Sequence, residues 1–152
     1  MNTNDVLRRI RYTFSLDDSK MMAVFGLGGL EVNRAEISDW LKKDDDPDYQ
    51  KCSDQQLATF LNGLIVDKRG KKDGPQPEPE KQLSNNIVFR KLKIALNLQA
   101  DEVLSLVNQA DFHISKHELS AFFRKPGHKH YRECKDQVLR NFLKGMQLKY
   151  RV

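Results

Sequence analysis

Residues 49–63 read YQKCSDQQLATFLNG, and residues 131–145 read YRECKDQVLRNFLKG. Eight of these 15 positions are identical, and the stretches stand 82 residues apart. The register extends outward without a gap. Asn4–Ile65 lies over Asn86–Gln147 with 15 identities in 62 pairs, the others being Asn4, Val6, Arg8, Leu16, Glu36, Ser38 and Lys43 with their partners. Elsewhere character is kept, as in Ile10/Leu92, Val24/Leu106, Val32/Ile114, Ile37/Leu119 and Trp40/Phe122. The chain is a tandem duplication, and both copies must build the same supersecondary unit.

Between the copies runs DKRGKKDGPQPEPEKQLS, residues 67–84. Gly70, Gly74, Pro75, Pro77 and Pro79 forbid a continuous helix, and the alternating prolines favour an extended connector. The division is a first repeat at 1–69, a linker at 70–85 and a second repeat at 86–152. A unit of this size buries a limited core, so the copies are expected to dock with pseudo-twofold symmetry.

Each copy reads as four helices, giving an all-α fold. The first runs from about Asn4 to Phe14, with Val6, Leu7, Ile10 and Phe14 on one face. Asn4 and Asn86 are candidate N-caps, because a short polar side chain can accept the free N–H groups of a first turn. The second helix starts near Ser19 or Asp101 and stops at Gly28–Gly29 in the first copy. The third carries a capping box in both copies, Asn33 with Glu36 and Ser115 with Glu118, flanked by staples Val32/Ile37 and Ile114/Leu119. The fourth begins at Ser53–Asp54 and at Asp136. The shared Gly63/Gly145 inside it is unfavourable for a helix and predicts close packing there. Trp40 and Phe122 are expected in the core.

Of 152 residues, 39% are hydrophobic and 31% charged, with a formal net charge of +5. A modest basic excess permits an acidic partner without requiring one. No run approaches the ~20 apolar residues of a membrane span. The N-terminus lacks a signal-peptide pattern. Cys52 and Cys134 therefore read as reduced thiols in a cytoplasmic protein with no membrane partner.

DVLRRIRYTFSL, FLNGLIVDKRG, NNIVFRKLKIAL and HYRECKDQVLRNFLKGM resemble the bacterial YehS-like family, built from two tandem copies of a domain of unknown function. The resemblance covers essentially the whole chain. It implies the duplicated helical fold and supplies no catalytic or binding residues.

Three constellations could carry function. The second and third helices place Leu30, Val32, Ile37 and Trp40, and in the other copy Phe112, Ile114, Leu119 and Phe122, at apolar positions of a helix-turn-helix. Glu31 and His113 stand where its turn favours glycine, Leu27 and Gln109 where a small residue is usual, and Glu36 and Asp39 oppose phosphate. Basic residues recur in register as Arg8/Arg90, Arg9/Lys91, Arg11/Lys93, Arg34/Lys116, Lys42/Arg124 and Lys43/Lys125. They are the candidate nucleic-acid contacts; the bland alternative is a solvated face inherited twice. Asp44–Asp46 and Asp48 disfavour phosphate in the first copy, whereas the matching Pro126–His130 does not, so the second copy is the better candidate. His128, His130 and Cys134, with His117, are possible zinc ligands, but their spacing fits no zinc motif.

No phosphate loop, nucleophile elbow or HExxH appears, so neither an enzyme nor a cofactor is expected. The residues point to a helical binding module for nucleic acid, or alternatively to a protein–protein interaction module.

Overall fold

The computed structural model describes residues 1–109 and 112–152. Among them are eight helices and no strands: α1 (Thr3–Thr13), α2 (Asp18–Leu27), α3 (Arg34–Leu41), α4 (Asp54–Arg69), α5 (Asn85–Ala95), α6 (Ala100–Val107), α7 (Lys116–Phe122) and α8 (Asp136–Tyr150). The first four belong to the first copy and the last four to the second. Ala110 and Asp111 lie outside the described residues.

The third helices start as expected. Asn33 and Ser115 accept the N–H of Glu36 and Glu118, whose carboxylates accept the cap N–H in return. The first two helices of each copy start elsewhere. Asn2 and Ser84, not Asn4 and Asn86, cap α1 and α5, accepting from Asp5 N–H at 2.8 Å and Ile87 N–H at 3.2 Å. Asp17 and Gln99, not Ser19 and Asp101, occupy the cap positions of α2 and α6. Each true cap stands two residues earlier because a capping side chain has to precede the turn it serves.

Asn4 and Asn86 instead hold the connector between the third and fourth helices. The buried Asn4 amide donates to the carbonyls of Trp40 at 3.0 Å and Gln50 at 2.9 Å, and its Oδ1 accepts from Cys52 N–H at 3.0 Å. Asn86 repeats this in register, donating to Phe122 at 3.0 Å and Arg132 at 2.8 Å and accepting from Cys134 N–H at 2.9 Å. One primary amide thus satisfies three backbone groups at opposite ends of a loop that has no secondary structure of its own.

Within each copy the second helix crosses the fourth, α2 on α4 and α6 on α8. A Cβ on Gly63 would stand 1.9 Å from the Val24 carbonyl oxygen, and one on Gly145 2.1 Å from that of Leu106. The shared glycine is therefore a steric requirement of the crossing. The aromatic hub differs between copies. Phe25 on α2 packs 4.9 Å from Phe60 and 5.4 Å from Trp40, whereas Phe89 on α5 packs 4.6 Å from Phe142. The register partners Val107 and Leu7 are smaller, so the copies exchange bulk between first and second helices and keep core volume.

The copies meet through corresponding helices, α4 on α5 and α8 on α1. Their polar contacts recur in register. Arg69 donates to the Ile94 carbonyl and Arg151 to that of Tyr12. Leu83 N–H donates to Asp54, and the Met1 amine donates to Asp136.

An Asn86→Asp substitution keeps the shape and the acceptor for Cys134 but leaves two carbonyls facing a carboxylate. At about 1–3 kcal/mol per orphaned group, unfolding should become easier by about 3 kcal/mol or more. Urea titration measures this directly, and an unchanged midpoint would refute the constraint.

Candidate functional site

Three of the six candidate first-copy cations are engaged within the chain. Arg8 pairs with Asp5 on its own helix and donates to the Lys42 carbonyl at 2.7 Å. Lys42 pairs with Asp39 at 2.7 Å, and that carboxylate raises its pKa. Arg34 lies 3.8 Å from Asp18. Arg11 is half-buried, and its Nε finds no hydrogen-bond partner among the described residues. Lys43 is exposed and precedes the acidic loop.

In the second copy, Lys91 is buried in the α4–α5 joint, 3.0 Å from Glu80 of the linker. Arg90, Arg124 and Lys125 are exposed. Lys116 lies 3.3 Å from the largely exposed Asp101, and Lys93 lies over the Phe123 ring at 5.3 Å. Lys93, Lys116 and Arg124 come together around a surface depression of about 450 Å³ walled also by Gln99, Ser120 and Phe123. In the first copy the matching positions hold Asp17 in place of Gln99 and Asp18 in place of Ala100. The depression is thus cationic in one copy and charge-compensated in the other.

Arg8 and Arg9 line a second opening, a cleft of about 590 Å³ between α1 and α8, with Asp5, Tyr12, Arg140 and Gln147. Among the described residues neither Arg9 nor Arg140 makes an ion pair. Arg140 escapes a search for in-register basic pairs, because its partner in the first copy is Ala58. Divergence between the copies, not agreement, is the signal that finds it.

The loops after the third helices share their turn hydrogen bonds. Asp46 N–H donates to Lys43 O and His128 N–H to Lys125 O, each at 3.0 Å, but Gly127 takes a φ of 90° where Asp45 does not adopt a positive φ, so the loops differ in charge and in local path. The His128 and His130 rings stand 5.6 Å apart, with His128 Nδ1 accepting from His130 N–H. Cys134 is buried against the core beside the Asn86 clamp, as Cys52 is beside Asn4. Burial pushes both thiols up to about 12, so each behaves as a small apolar side chain and not as a thiolate ligand. The apolar positions proposed for a helix-turn-helix are core positions: Val32, Ile37, Trp40, Ile114, Leu119 and Phe122 are buried. No helix among the described residues is long and apolar enough to cross a membrane.

The duplication is matched by a family model. The model for a protein of unknown function, DUF1456, matches twice, at residues 3–70 and 85–151, and the chain belongs to that family. It is similar to the uncharacterized protein YehS of Escherichia coli (strain K12), 41% identical over 153 residues, covering 100% of this chain and 98% of that protein. No solved structure matches.

The cysteines provide a check on the packing around the clamps. Their folded pKa of about 12 exceeds the ordinary 9.0. Their stabilising contribution is therefore complete below about pH 9 and is lost as pH rises through about 12. At pH 8 a thiol-reactive dye should label native protein far more slowly than glutathione, and label both cysteines in urea. Rapid labelling of the native chain would contradict the burial.

Proposed function

We propose that this chain is a non-enzymatic binding module that engages nucleic acid through the second copy. The observation that carries this reading is the convergence of Lys93, Lys116 and Arg124 on one open depression, with no carboxylate among the side chains that line it. Half-buried Phe123 forms part of its wall. Three cations on one open depression suit a strand whose phosphates need counter-charge. The Lys116–Asp101 pair is exposed and contributes little, so a phosphate can replace Asp101 at small cost. The first copy serves as an internal control, because Asp17 and Asp18 oppose an anion at the same place. The helix-turn-helix pattern adds no support, since its apolar residues are accounted for by the core.

Binding of mixed single-stranded and duplex oligonucleotides should weaken steeply with salt. Replacing Lys93, Lys116 and Arg124 by glutamine should flatten the dependence of log K on log salt by about 0.7–0.9 per lost phosphate contact. Replacing Arg11, Arg34 and Lys42, their first-copy partners, should change it little. Absence of binding at low salt, or equal effects from both sets, would reject this reading.

A further inference from the structure

The groove between α4 and α5 is occupied by the chain itself, whereas its counterpart between α8 and α1 stands open. In the occupied groove the proline-rich linker passes along both helices. Glu80 sets its carboxylate 3.0 Å from Lys91 Nζ, which also donates to Asn62 Oδ1 at 2.5 Å. Gln76 and Pro77 share the walls of a remaining cavity of about 320 Å³ with Ile65 and Ile94. Leu83 packs on the core, and its N–H donates to Asp54 at 2.8 Å. Lys91 is 8% exposed. An ammonium at that depth requires a partner charge, because an uncompensated buried ion costs several kcal/mol. The linker supplies it.

The rim of the open groove is built the same way, with Arg151 on the Tyr12 carbonyl and Met1 on Asp136. Its lining differs from that of the occupied groove. Arg9 stands for Lys91, Arg140 for Ala58 and Gln147 for Ile65. Small or apolar groups that let α5 close on α4 are replaced by long polar ones, and a cleft of about 590 Å³ remains. Asp5 is the one carboxylate in its lining, and it already pairs with Arg8.

We propose that the α1–α8 cleft is a docking site for an extended acidic peptide segment of a partner protein. It would lie along α1 and α8 as the linker lies along α5 and α4, with a carboxylate on Arg9 where Glu80 meets Lys91. Two observations favour a peptide over a nucleic-acid strand. The corresponding groove already accepts an extended backbone carrying proline and glutamate. The Arg151 guanidinium lies over the Tyr12 ring, the cleft's aromatic surface, 3.6 Å from its centroid, and so takes one ring face from base stacking. The planar forks of Arg9 and Arg140 suit bidentate pairing with carboxylates. This surface uses different residues from the Lys93–Lys116–Arg124 depression and does not rest on its assignment.

The test is fluorescence anisotropy with the full chain and labelled peptides PEPEPEPE, PQPQPQPQ and PKPKPKPK. The glutamate peptide should bind, the glutamine peptide at least about tenfold more weakly, as befits loss of charge-assisted hydrogen bonds, and the lysine peptide not at all. Arg9→Glu with Arg140→Glu should weaken the glutamate peptide by at least about tenfold, and Lys116→Glu with Arg124→Glu should leave it nearly unchanged. Arg9→Gln with Arg140→Gln provides the same readout if circular dichroism shows that charge reversal disturbs the fold. The proposal is overturned by failure of the glutamate peptide to bind at low salt, or by binding indifferent to Arg9 and Arg140. It is equally overturned if a single-stranded oligonucleotide takes the cleft in preference and loses binding with the same two arginines.

Discussion

Each copy is organised around a single primary amide. Asn4 and Asn86 lie on the first helix of their copies and reach a connector that follows the third, tying backbone groups some ten residues apart in that connector to one point. The connector carries few backbone contacts of its own, so without the amide its inward carbonyls would face an apolar core unpaired. The clamp also places the cysteine that follows it against the core, and the serine or lysine from which the fourth helix starts. The position of the fourth helix decides both the glycine crossing within a copy and the joint between copies. A buried asparagine with every polar atom satisfied specifies one path for the chain, where apolar packing alone would tolerate several.

The joint between the copies shows how duplication produces two different surfaces from one plan. The rim contacts are the same on both sides, from Arg69 and Arg151 on a helix-end carbonyl to Asp54 and Asp136 on an N–H or amine. Between those rims a few side chains change character. Ala58 and Asn62 let α5 approach α4 and let Lys91 be buried with a linker carboxylate, while on the other side Arg140 stands for Ala58 and lines, with Arg8 and Arg9, a cleft whose one lining carboxylate is Asp5. One groove becomes an internal seal and the other a cationic cleft.

The same logic explains which parts of the candidate sites were legible in the residues. Among the basic residues shared by both copies, Arg34 and Lys116 do the same intramolecular work, each near an aspartate of the preceding helix. Agreement between copies therefore marks fold requirements: the asparagine clamp, the capping boxes and the glycine crossing. Positions where the copies disagree mark surfaces that only one half presents. Arg140 opposite Ala58, and Gln99 and Ala100 opposite Asp17 and Asp18, are of this kind. The loop at Pro126–His130 differs from Asp44–Asp48 in charge and, at Gly127, in backbone conformation, while the turn hydrogen bonds are kept.

Sequence by itself determined the duplication, the all-α class, the capped third helices, the buried aromatic positions and the glycine on which the second and fourth helices cross. These are local patterns, or patterns that repeat, and periodicity, capping and residue size express them within a few residues. Only the tertiary structure decided that Asn4 and Asn86 are clamps and not caps, that Lys91 is buried while Arg9 is not, and which of two like grooves the linker fills. Each of those outcomes depends on groups more than 25 residues apart in the chain, such as Lys91 with Asn62 or Asn4 with Trp40. An asparagine, a lysine or a glutamate looks the same in sequence whether its partner is the next turn, a distant helix or water.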